Sequence, residues 1–110
     1  MYKLYVYVPT PHLELVKSAL FGAGAGAGAG KIGNYDSCCW QTLGAGQFRA
    51  LEGSTPFTGE LDRVEQVEEY RVEMVCSDEK VTAVLEALRR THPYEEPAFD
   101  MWKIEDLSLT

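Results

Sequence analysis

The chain has 110 residues, enough for one hydrophobic core and too few for two. With 45% apolar and 25% charged residues it matches an ordinary globular protein, which excludes a disordered chain, a collagen and a disulfide scaffold. The formal charge is −7, and residues 60–110 hold six bases against fourteen acids, a surface that repels phosphate backbones, so no nucleic-acid partner is expected.

Tyr2-Lys3-Leu4-Tyr5-Val6-Tyr7-Val8 is rich in β-branched and aromatic residues and predicts a first strand, ended by Pro9-Thr10-Pro11. Thr10 suits a helix N-cap and Pro11 the first helical position. Leu13, Val16 and Leu20 recur at spacings of three and four and predict a helix that dissolves at Gly22. From Gly22 to Gly30, Gly and Ala alternate strictly. Glycine at every second position opposes a helix and predicts a flexible Gly-Ala loop over 22–30.

Lys31 to Tyr35 reads as a turn, Asp36 to Thr42 as a second strand, and 43–59 as a long irregular loop punctuated by Gly44, Gly46, Gly53, Pro56 and Gly59. Tyr70, Val72, Met74 and Cys76 alternate with Arg71 and Glu73 in a third strand with one buried face. Ser77 is the expected cap of a second helix whose apolar stripe is Val81, Val84, Leu85 and Leu88 and which Pro93 stops. Ala98 to Ile104 makes a fourth strand. The order β-α-β-β-α-β over 1–110 defines a single α+β domain of the ferredoxin-like kind, with both helices on one sheet face.

The longest charge-free run, Ser18 to Gly30, is thirteen residues, far short of the roughly twenty apolar residues that a membrane span needs, so no membrane partner is expected. No apolar signal-peptide core precedes Pro9, and a cytoplasmic location is the expectation. Cys38, Cys39 and Cys76 form no CxxC pair and read as small packing residues in a reduced interior. Gly28-Ala29-Gly30-Lys31-Ile32-Gly33 satisfies GxGxxG but leaves a helix and enters a strand, the reverse of a dinucleotide-binding turn.

His92-Pro93-Tyr94-Glu95-Glu96-Pro97 gathers an imidazole, a phenol and two carboxylates on backbone restricted by two prolines. Those groups suit a divalent cation such as zinc, a polar ligand or acid–base chemistry; a helix-to-strand turn with solvated charges is the plainer alternative. On this reading His92 and Glu95 are the metal ligands, and His92 is a solvent-reachable turn residue.

Three blocks carry a resemblance: Ile32-Gly33-Asn34-Tyr35-Asp36, Leu51-Glu52-Gly53 with Pro56-Phe57 and Gly59, and His92 through Asp100. In this order they resemble the insert domain of the Nif-three-like family, dinuclear-metal proteins often labelled GTP cyclohydrolase I type 2-like. The resemblance implies the PII-like or CutA-like version of the fold, a homo-oligomer with a trimer favoured, and ligands in clefts between subunits. It adds Asn34 and Tyr35 to the candidate ligand-binding residues His92, Tyr94, Glu95 and Glu96. The histidines and acids that hold the family's metals have no counterparts here, so the family's enzymatic activity is not carried over. Tyr5, Tyr7 and the Trp40 strand are expected to supply apolar area on both sheet faces for assembly. The function read from the sequence is thus a non-enzymatic oligomeric module that binds a small molecule or metal ion. The alternatives are a metal-dependent enzyme using His92, Glu95 and Glu96, or an interaction domain.

Overall fold

A computed structural model describes residues 1–26, 29–107 and 109. Strand β1 (Tyr2–Pro9) leads through one 3₁₀ turn into helix α1 (Leu13–Gly26). Strands β2 (Trp40–Arg49) and β3 (Val64–Cys76) form a long hairpin, and a second 3₁₀ turn opens helix α2 (Val81–Thr91) before strand β4 (Phe99–Lys103). The four strands are antiparallel in the order β2-β3-β1-β4, the expected ferredoxin-like arrangement.

The alternation in β1 and β3 decides which face is covered. Leu4, Val6 and Val8 of β1 and Val72, Met74 and Cys76 of β3 are buried beneath Leu13, Val16 and Leu20 of α1 and Val84, Ala87 and Leu88 of α2. Lys3, Tyr5 and Tyr7 point the other way, beside Glu73 and Arg71, onto a face that no helix covers. Trp40, opposite Glu73, and Trp102, opposite Lys3, share that open face and are 68% and 63% exposed, so these aromatics gather on one face and not, as expected, on both. Among the described residues no helix is long and apolar enough to cross a membrane.

Three expectations require correction. Helix α1 continues to Gly26 instead of dissolving at Gly22, so the first part of the Gly-Ala run is helical. Packing overrides propensity there: Ala23 joins the core, and the Lys80 ammonium donates to the Gly24 carbonyl at 2.9 Å. Ala29 and Gly30 are also buried, with the Gly30 N–H on the Val75 carbonyl, while Ala27 and Gly28 lie outside the described residues. Secondly, β2 begins at Trp40 and runs to Arg49, through what reads as the start of an irregular loop. Its pairing with β3, Gly44 against Glu69 and Gly46 against Val67, holds extended a segment with little strand propensity of its own. Finally, the expected caps Thr10 and Ser77 lie at 3₁₀ turns, and neither turn has a side-chain cap.

Candidate functional site

The turn from His92 to Ala98 joins α2 to β4 and packs against the far end of β1. The Tyr7 N–H donates to the Ala98 carbonyl at 3.2 Å, continuing the ladder between β1 and β4. The Tyr7 carbonyl is taken by His92, whose Nε2 lies 2.7 Å away and must donate, because a carbonyl only accepts. Nδ1 then carries the lone pair and accepts the Tyr94 N–H at 3.1 Å. Both ring nitrogens are engaged and the residue is 6% exposed. Burial drives its pKa below the ordinary 6.5, against the opposing pull of the Tyr7 carbonyl and the Glu69 carboxylate, so the ring is held neutral.

His92 is therefore no solvent-reachable turn residue. In this geometry neither nitrogen is free for a cation, and the ring serves to hold the turn on β1.

Beyond His92 the turn opens onto a groove of about 850 Å³. Tyr94, Glu95 and Glu96 line it, together with Phe48 and Arg49 at the end of β2 and Glu52, Pro56 and Phe57 of the loop that follows. Tyr94 is the hub. Its ring lies 4.8 Å from His92, 6.4 Å from Phe48 and 6.3 Å from Phe57, centroid to centroid. Its hydroxyl donates to Glu69 Oε2 at 2.8 Å, and burial, aided by that carboxylate, pushes the phenol well above its ordinary range. The Glu69 carboxylate lies over β2 where Gly46 has no side chain; a Cβ there would run into it. Glu95 accepts the Thr55 N–H at 2.8 Å, so the two walls of the groove are tied across its end. Behind Phe57, the His12 ring meets it in a T-shaped contact at 5.6 Å, and its buried Nδ1 has no hydrogen-bond partner among the described residues.

Asn34 and Tyr35 are not part of this groove. Asn34 sits with Gly33 at the tip of a tight turn that Tyr35 closes, through reciprocal backbone bonds with Ile32, and Gly33 has a positive φ of 57°. Gly30 tethers that turn to Val75, at the end of β3 opposite to Glu69. The six candidate residues thus split three ways: Tyr94, Glu95 and Glu96 on the groove, His92 in the packing beneath it, Asn34 and Tyr35 at the other end of the sheet. Among the described residues no three His, Cys, Asp or Glu side chains converge as a metal site requires. Sequence reasoning missed Phe48 and Glu69, which reach the groove only because the hairpin folds back. Phe57 and Glu52 had been part of the family resemblance without an assigned role.

The fold is that of the CutA and PII-like proteins. CutA1 of Pyrococcus horikoshii superposes with a TM-score of 0.65 at 15% identity, over 99% of this chain and 88% of that one. The periplasmic divalent cation tolerance protein CutA of Archaeoglobus fulgidus gives 0.64 at 18%, over 99% and 89%. No family model matches the chain.

Sequence comparison is more specific. The chain is 45% identical over 102 residues to the GTP cyclohydrolase 1 type 2 homolog of Mycobacterium tuberculosis and 43% identical over 103 residues to that of Bacillus subtilis. These alignments span 93% and 94% of this chain but 26% of each relative. A Bacillus cereus protein related to NIF3 shares 36% identity and a TM-score of 0.78, over 96% of this chain and 26% of that one. The chain is a homologue of one segment of the Nif-three-like proteins, about a quarter of their length.

Proposed function

We propose that the chain is a homo-oligomeric binding module, most simply a trimer, that assembles through the open sheet face and holds a small ligand in the Tyr94 groove. The observation that carries the reading is the uncovered face itself. Tyr5 and Tyr7 are half-buried there and Trp40 and Trp102 are largely exposed, apolar area of the kind that marks an interface. Charges on it alternate, with Lys3 and Arg71 beside Glu73 and Asp100, which suits self-association better than docking on a surface of one sign. His92 supports binding rather than acid–base catalysis, since its one N–H proton and its lone pair are committed to the backbone. Light scattering at micromolar concentration tests the assembly. A mass of three chains is expected, and a stable monomer overturns it.

A further inference from the structure

We propose that the groove takes a planar organic cation: an aromatic ring bearing a protonated amine, amidine or guanidinium group. The inference rests on the reading of this groove as the binding site and adds the class of ligand. Three observations converge on it. The first is charge. Glu52, Glu69, Glu95 and Glu96 all reach the groove wall, with Arg49 the one base among the lining residues. Their field favours a cation, and the recess focuses it.

The second is shape and surface. Phe48, Phe57 and Tyr94 come from three different segments and line one recess, the two phenylalanine rings each inclined at 49° to that of Tyr94. A cation within about 6 Å of a ring face gains from the ring quadrupole, and a flat ring gains stacking area as well. The volume of about 850 Å³ suits an organic molecule, since pockets for such ligands run from roughly 300 to 1,000 Å³.

The third is the spacing of the acids. Glu69 is occupied by the Tyr94 hydroxyl and Glu95 by the Thr55 N–H, and no three acidic side chains converge among the described residues. A bare divalent ion needs several oxygens at about 2.0–2.6 Å around one point. Carboxylates distributed along an aromatic trough instead match a ligand whose charge and ring lie apart. Glu96, which makes no hydrogen bond or ion pair among the described residues, is assigned as the counter-ion, and the Phe57 and Tyr94 rings as the stacking surfaces.

The test uses the full chain and three near-isosteric probes, benzamidine, benzamide and benzoate, followed by heteronuclear NMR titration and calorimetry. Benzamidine is expected to shift the amides of 48–58 and 94–98, and to bind at least tenfold more tightly than benzamide, with benzoate not binding. Glu96→Gln and Phe57→Ala should each weaken benzamidine several-fold, while Glu105→Gln, on the segment after β4, leaves it unchanged. Spermidine, which has charge without a ring, should bind more weakly and be insensitive to Phe57→Ala. Equal affinity for benzamidine and benzamide, or tighter binding of spermidine, overturns the ligand class while leaving the groove as the site. Failure of every probe to perturb the groove at millimolar concentration overturns the site as well. Mass measured on the same samples keeps the assembly reading separate, because a monomer that binds benzamidine sinks only the oligomer.

Discussion

His92 shows how a residue type that signals chemistry can be consumed by architecture. Its ring bridges the Tyr7 carbonyl on β1 and the Tyr94 N–H, so removal leaves two polar backbone groups without partners in a largely dry setting. His92→Ala is expected to cost about 2–3 kcal/mol, read as a lower denaturation midpoint in urea. The pH dependence follows from the direction of the shift. Because the folded ring has a pKa depressed below 6.5, the stability it contributes is complete above that value and is lost as pH falls through the folded value. The Glu69 carboxylate opposes that shift but does not outweigh burial. Urea titrations between pH 7.5 and 5 should show wild type losing stability on acidification and His92→Gln losing much less. Parallel curves would mean that another group titrates. Nothing near His92 in the sequence announces this role, because its acceptor lies 85 residues away.

At the scale of elements, legibility follows periodicity. β1, α2 and the part of β3 from Tyr70 onward were readable because alternation or a 3.6-residue stripe of apolar residues is written into each, whereas Val64 to Glu69 show no such alternation and are held in β3 by pairing with β2. β2 was readable only in part: Gly44, Ala45 and Gly46 have no strand signal, and pairing with β3 supplies what propensity does not. The end of α1 was misread for the same reason. There the glycines differ sharply in what they do. Gly24 has a φ of 65°, and a Cβ on it would meet Lys80 Cδ at 2.9 Å, whereas Gly22 faces open space at ordinary helical φ. Gly22→Ala should therefore stabilise the protein by about 0.5–1 kcal/mol through helix propensity, and Gly24→Ala should destabilise it by about 1 kcal/mol. Thermal unfolding of the two single variants, read by far-UV circular dichroism, checks the opposite signs. Two shifts in the same direction would mean that this part of the Gly-Ala run does not act as helix in solution.

For the whole molecule, the division of the sheet into a covered and an open face matters most. The open face was legible in outline from the aromatic alternation of Tyr5 and Tyr7, while the contribution of Trp102 depended on β4 pairing at the edge beside β1. Replacing both tryptophans, Trp40→Glu with Trp102→Glu, should shift the protein to monomer without lowering helix content, since neither side chain enters the helix-covered core. Sedimentation velocity of the double variant checks this. An unchanged oligomer would move the interface elsewhere on the surface.

The hairpin has a kinetic corollary. Val64 to Glu68 pair with β2 alone, because β1 reaches only as far as Glu69, and the molecule is drawn out to 52 Å along an axis where its other dimensions are 24 and 23 Å. A ribbon two strands wide has little independent stability, so its amides should exchange with deuterium through local fraying that leaves the core closed. Gln66 and Gln47 are expected to exchange at least tenfold faster than Val6 and Val72, whose amides open only with the entire sheet. Dilution adds a second reading of the same amides. If copies of the chain shield the ribbon, the protection of Gln66 will fall as the protein is diluted and that of Val72 will not, so an exchange clock would time assembly from within one strand.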